Sequence, residues 1–406
     1  MAGDWSVQRL PDLLTLQRGH DLASDKRVGG TFPVIAATGQ VGFHNEAKCD
    51  APGVVIGRSG SIGGAQWIDE PFWPLNTTLY VIDFKGNNPY FCYSVLRSID
   101  FQRFNAGSGV PTLNRNHLAD IEVPSISRTE QDGIANLLVT LDVKIDLNRQ
   151  MAATLEEMAR ALFKSWFVDF DAVHAKAEGR ETGLSAEVAA LFPDSFDDKG
   201  LPNGWTSKPL LSFADLISGG TPKTGNATYW NGSIPWASAK DVSQCGQLFL
   251  QATERSITEL GLNESSTKIV PANSTVVVAR GATTGRNCLF AIDMAMNQTC
   301  YALKSNEGFD FWLHLCFQNE ITRIIASAHG SAFDTITTVT LQNANIVPAS
   351  EGLRRAFEQH VSPLIHRILA ATNEAQQLQN LRDFLLPKLL SGELRVADAE
   401  SAIAVA

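Results

Sequence analysis

The sequence predicts an α+β protein: two tandem mixed α/β domains separated by a long antiparallel two-helix coiled coil, related by a pseudo-twofold. Three observations predict this class. The 406-residue chain repeats itself at an offset of 200 rising to 223, each copy ends in a heptad-patterned stretch, and the rest consists of short β-branched runs broken by Gly, Pro and Asn.

In chain order, Asp4-Trp5-Ser6 is echoed by Gly204-Trp205-Thr206, Gly19 by Gly219 and Phe32-Pro33 by Ile234-Pro235. Next, VVIGRSGSIGG from Val54 returns as VVVARGATTGR from Val276, with Arg280 in the place of Arg58 and Gly285 in that of Gly63. Asn76 to Tyr80 matches Asn297 to Tyr301, Gly107-Ser108 matches Gly330-Ser331, and Pro124 matches Pro348. Roughly twenty additional residues in the second copy, between Gln244 and Val270, are expected in a surface loop.

After each Pro the period changes. Ile134, Leu141, Asn148, Leu155 and Leu162 fall seven apart, as do Phe357, Leu364, Ala371, Leu378 and Leu385. Leu138, Ile145, Ala152 and Trp166, or Val361, Ile368 and Ala375, lie on the adjoining face, the pattern of coiled-coil helices. Asn148 on the seam favours one register at a cost in stability. A straight helix from Ile134 to Trp166 is about 50 Å long at 1.5 Å per residue. The polar segment from Val168 to Gly204, with FPDSF and LPNGW, is expected to bring the chain back for antiparallel packing.

Composition narrows the class. Apolar residues make up 44% of the chain, enough for cores without staples, and the six cysteines form no CxxC pair. A disulfide framework or zinc site is therefore not expected, and the protein reads as reduced and cytoplasmic. MAGDWSVQRL lacks a basic start followed by an apolar core, and no run of about 18 apolar residues occurs, so neither export nor membrane insertion is expected. The net charge of −10 is concentrated between residues 126 and 204, with 14 acidic against 8 basic residues. The two nearly neutral segments on either side retain the capacity for local basic surfaces.

The glycine stretches do not make a nucleotide site. Neither has the Lys of a GxxxxGK phosphate loop, and Gly57, Gly60 and Gly63 are misspaced for GxGxxG. Tight turns after strands explain the glycines, leaving Arg58 and Arg280 as phosphate contacts or as arginines that pin the turn. Asn87-Asn88-Pro89-Tyr90-Phe91 lacks the first proline of an amino-methyltransferase motif and is expected in a loop turn. GGTPKTGNATYWNGSIPW, from Gly219, offers Lys223 for phosphate and Thr221, Thr224 and Asn226 for hydrogen bonds, with Tyr229, Trp230 and Trp236 for packing or stacking. No Ser/His/Asp constellation can be assembled from the eight histidines, none of which recurs between copies.

Taken together, GGTPKTGNATYWNGSIPWASAKDV, the paired RSGSIG and RGATTG loops, WFVDFDAVHAKAEG with FPDSFDDKGLPNGW, and LRDFLLPKLLSGELRV carry a resemblance. Over nearly its whole length the chain resembles the specificity subunit of type I restriction-modification enzymes. The resemblance implies target recognition domains at 1–125 and 205–347, spacer helices at 126–170 and 348–396, a connecting segment at 171–204 and a tail at 397–406. It implies a non-catalytic DNA-recognition subunit whose domains each read half of a split, asymmetric site in double-stranded DNA. It also implies two modification (methyltransferase) subunits docked on the helices, and restriction (motor-nuclease) subunits beyond them. S-adenosylmethionine, ATP and Mg are then expected only on those partners. Loop chemistry and repeat position nominate Arg58, Ser108, Thr112, Thr221, Lys223, Lys240, Arg280 and Ser331 for DNA contacts. Leu141, Asn148, Leu155, Leu162, Leu364, Leu378 and Leu385 are nominated for the spacer.

Other readings stand beside it. A split-site type II system uses a similar subunit, a stand-alone methyltransferase would bind S-adenosylmethionine, and a two-globe protein-binding scaffold would not bind duplex even with a modification subunit.

Overall fold

Alternating β-branched residues form the centre of each domain, because a strand buried on both faces sends successive side chains to opposite cores. The computed structural model describes residues 5–107, 109–328 and 335–405. They fall into two units, 1–147 with 374–406, and 148–373.

In the first unit an antiparallel sheet runs in the order Thr15–Arg18, Thr78–Asp83, Gly53–Gly57, Gly63–Ile68. Val54 and Ile56 face the core under the helix Pro89–Ser98, with Phe91 and Val95; Val55 faces the other way, onto Ile35, Phe72 and Tyr80. Asn88 starts that helix by accepting hydrogen bonds from the N–H groups of Tyr90 (2.9 Å) and Phe91 (3.1 Å). The NNPYF stretch is thus a helix N-cap with Pro at the first helical position rather than a loop turn.

The second unit repeats this sheet as Ala214–Ser218, Cys300–Ser305, Thr275–Val278 and Asn287–Phe290, and adds Phe249–Leu250 parallel to the last strand. A second sheet runs Arg255–Ile257, Trp230–Ala237, Met294–Met296, Ile269–Val270. The additional stretch of the second copy is therefore not a surface loop. Leu248, Phe249, Leu250, Ile257 and Val270 are buried, and their apolar side chains draw the segment into both sheets.

Main-chain hydrogen bonds correct the repeat register by one residue. Arg58 N–H donates to Thr77 O, and Leu113 N–H to Arg58 O, both at 2.8 Å; in the second unit the matching bonds are Ala279 to Thr299 at 2.8 Å and Ile336 to Ala279 at 2.9 Å. Gly19 and Gly219 agree, since a Cβ on either would strike a backbone oxygen, Leu75 O at 2.1 Å or Asn297 O at 1.9 Å. Ala279, not Arg280, thus stands in the place of Arg58, and Gln298, not Asn297, in that of Asn76. A shift of one along a strand exchanges its faces, so equal sequence letters in the two copies point different ways. Gly63 and Gly285 do coincide: both have positive φ, +79° and +91°, and both lie close beneath a following helical segment, at Phe101 and at Ile325.

The long helices are Arg128–Phe167 and Glu351–Ser391, of 40 and 41 residues. Each unit holds half of both, and within each unit the halves pack antiparallel. In the first, Arg382 binds Asp142 and Lys144 meets Glu374 at 3.2 Å; in the second, Phe163 and Trp166 lie edge-on to Phe357 at ring distances of 5.9 and 5.6 Å. Leu141 and Leu385 are buried, Leu155, Leu162, Leu364 and Leu378 half-buried, and Asn148 wholly buried. Over the distal turns of the first helix the buried seam passes through Ala159, Phe163 and Trp166, because 3.6 residues per turn drift away from a strict seven-residue repeat. The segment after Phe167 packs back through Val173 and Phe192 onto Trp166, and the chain ends in a helix, Val396–Val405, whose Ala399 is buried in the first unit's core.

Candidate nucleic-acid interface

In the first unit the turn Arg58–Gly60 leaves its strand and is clamped by the strand's neighbours. Gly60 N–H donates to Pro111 O at 2.9 Å, and Ser59 pairs with Thr112. Thr112 is itself held by its N–H to Asn105 Oδ1 (3.0 Å) and its hydroxyl to Val110 O (3.1 Å). Arg58 and Thr112 are thereby brought together. Arg58 reaches Asn76 O at 3.4 Å, and no carboxylate among the described residues neutralises it. Asn76 donates its amide to Asp21, which Arg18 approaches at 3.6 Å. Ser108 lies outside the described residues.

The second unit uses the same frame with other side chains. Thr221 donates its hydroxyl to Gln298 Oε1, in the place of the Asn76–Asp21 pair, leaving the Gln298 amide N–H groups as donors. Lys223 and Arg280 are exposed and without a carboxylate partner among the described residues. Lys240 differs, because Glu254 binds its ammonium at 2.8 Å and, through that hydrogen bond, holds it above the ordinary lysine range. Ser331 lies outside the described residues. Tyr229, Trp230 and Trp236 are buried and serve packing rather than base stacking: Trp230 and Trp236 meet edge to face at 5.2 Å, Trp236 Nε1 donates to Gly220 O at 3.0 Å, and Tyr229 donates its hydroxyl to Glu264 at 2.6 Å.

Sequence reasoning missed Asp21, Asn76 and Gln298. For Asn76 and Gln298 the signal was present in the NTT and NQT stretches, which were matched one residue out of register. All six cysteines are free, and among the described residues no group of three His, Cys, Asp or Glu could hold a metal ion. Nor is any helix among them long and apolar enough to cross a membrane. What both sites offer is a rigid turn carrying an unneutralised cation beside hydrogen-bonding side chains, the combination that contacts phosphates and reads base edges.

The model of the type I restriction modification DNA specificity domain matches twice, at residues 2–157 and 202–351. The chain belongs to that family. Over 330 residues it is 27% identical to the type I restriction enzyme HindI specificity subunit of Haemophilus influenzae, covering 70% of this chain and 71% of that one. It is 25% identical over 307 residues to the MjaIX specificity subunit of Methanocaldococcus jannaschii, covering 72% and 65%. The type I restriction-modification S subunit from M. genitalium has the same fold, with a TM-score of 0.61 at 19% identity over 95% of this chain and 96% of that one. As a type I specificity subunit, the chain is the non-catalytic DNA-recognition component of its complex, and cofactor binding resides in the other subunits of such systems.

Proposed function

We propose that each domain of this specificity subunit reads one half of a bipartite, asymmetric site in double-stranded DNA. The observation that carries the reading is the pairing of one main-chain frame with two side-chain sets: Arg58 stands where the other copy has Ala279, and Asp21 with Asn76 where it has Thr221 with Gln298. A common frame docks both domains alike, and different donors and acceptors select different bases, each wrong pair costing about 1–3 kcal/mol. Arg58, Thr112, Thr221, Lys223 and Arg280 supply contacts, together with Ser108 and Ser331. Lys240 contributes least, because Glu254 already neutralises it.

The long helices set the gap between half-sites and dock two modification subunits. A 40-residue helix is about 60 Å long, against about 34–36 Å between half-sites one duplex turn apart. The modification subunits bring S-adenosylmethionine, the restriction subunits ATP and Mg, and the assembly works in the cytoplasm on host DNA. Recognition domains at 1–125 and 205–347, with spacers at 126–170 and 348–396, describe this division of labour.

The test is co-expression with the adjacent modification genes, followed by mapping of methylated adenines across the host DNA. A split motif of two unlike halves with a fixed gap is expected. Methylation without a split motif would overturn the reading.

A further inference from the structure

The strand Arg255–Ile257 lies along Trp230–Ala237 as Gly39–His44 lies along Phe32–Ala36 in the first unit, and it places an arginine near where the first unit has Gly42. Arg255 is exposed, its guanidinium lies over the ring of Trp230 at 3.5 Å from the centroid, and the ring of Trp236 is 5.7 Å away. Both tryptophans are buried and fixed, Trp236 through Gly220 O and Trp230 through a 3.3 Å bond from Nε1 to Lys223 O. The ring that carries Arg255 is thus tied to the backbone of Lys223. Thr267 lies against Gly220, which places Lys268 beside the same loop. Of the acidic groups nearby, Glu254 is engaged with Lys240 and Glu264 with the Tyr229 hydroxyl. Arg255, Lys223 and Lys268 have no carboxylate partner among the described residues.

A guanidinium stacked on an indole loses little further freedom on binding, and its N–H edges stay presented to a planar pair of oxygens. Three unneutralised cations around one aromatic platform suit a polyanion, and the hydrogen-bonded strand Arg255–Ile257 beside Trp230–Ala237 makes the platform rigid. We infer that Arg255, with Lys223 and Lys268 beside it, forms a backbone-phosphate clamp on duplex DNA in the second recognition domain. The inference rests on the DNA-reading function proposed above and adds to it a contact that sets affinity and position rather than base choice.

The experiment uses the complex with its modification subunits and a duplex carrying the mapped split motif, with binding measured across a salt series. Arg255→Ala and Arg255→Gln, the latter keeping a planar group on Trp230, are each expected to lower the slope of log K against log salt by about one. Both should weaken cognate and single-base-variant duplexes by the same factor, and Arg255→Lys should recover most of the slope. Unchanged binding by Arg255→Gln, or a loss confined to one base position, would overturn the clamp while leaving the domain's function standing. No duplex binding by the wild-type complex would overturn both.

Discussion

The Glu358 carboxylate accepts hydrogen bonds from the backbone N–H groups of Phe311 at 3.1 Å and Trp312 at 2.9 Å, so the second long helix caps the helix Asp310–Ala328 of its recognition domain. Burial raises the Glu358 pKa to about 7; the two N–H groups and Lys304 oppose the rise, and Asp310 adds to it. A carboxyl that holds its proton more tightly folded than unfolded contributes stability that is lost as pH rises from about 4.5 through about 7. The Glu358 contribution to stability, followed by thermal unfolding, is therefore expected to fall between pH 5 and pH 8, by an amount of the order of 3 kcal/mol at most. Glu358→Gln should flatten that window; an unchanged slope would show that another group carries it.

His314 works in the opposite direction. It is fully buried, its Nδ1 lies 3.1 Å from the Thr275 hydroxyl, its Nε2 has no partner, and burial lowers its pKa from 6.5 to about 3. The unfolded chain takes up a proton below about 6.5 that the folded chain refuses, so stability is lost as pH falls from there towards 3. His314→Asn keeps an acceptor for Thr275 and cannot titrate. Its unfolding midpoint is expected to be less sensitive to acid between pH 6 and pH 4 than that of the wild type.

Asn148 carries both polar atoms of its side chain into the helix pair without a hydrogen-bond partner. The register of Phe163 with Phe357 and of Lys144 with Glu374 brings it level with Ala371, its repeat counterpart, which offers no side-chain polar group. Desolvation without compensation costs about 1–3 kcal/mol. Asn148→Leu is accordingly expected to raise the unfolding midpoint while relaxing the choice of register, which cross-linking of engineered cysteine pairs along the seam would detect. A lower midpoint would mean that the amide contributes more than its burial costs.

The long helices were legible because heptad spacing is a local signal, and the repeat because Trp5, Gly19 and Gly63 face the same geometric demand as Trp205, Gly219 and Gly285. At Gly19 and Gly219 a backbone oxygen fills the place of a Cβ, so only glycine fits. The site was less legible. Arg58 and Arg280 share a letter and a neighbourhood, yet the ladder pairs Arg58 with Ala279, because register is set by hydrogen bonds between distant strands. The same holds for Trp230 and Trp236, whose burial depends on a sheet assembled from residues 230 to 296. Gln131 and Arg354 show how far chemistry diverges on one frame. Gln131 ties its helix to Asn87 and Ile126 O through amide bonds, and Arg354 ties its own to Glu307 and Ala349 O through an ion pair.

Lys240 and Glu254 make the sharpest test of electrostatics at the proposed interface. Their 2.8 Å pair is exposed, and Asp241 fixes its geometry by accepting the Glu254 N–H at 3.1 Å while capping the helix Ala239–Gln244 through Ser238. An exposed pair adds little to stability, so breaking it should leave the unfolding midpoint close to that of the wild type. Its effect on DNA is expected to be larger. Glu254→Gln removes a negative charge beside Arg255 and frees Lys240 for a phosphate, which should tighten duplex binding by the assembled complex and steepen its salt slope by about one. Lys240→Ala should change binding little, since the charge it removes was already neutralised. Salt titrations of the two variants beside the wild type decide the matter: if Lys240→Ala weakens binding as strongly as Arg280→Ala, the pair opens on DNA and Lys240 is a contact in its own right.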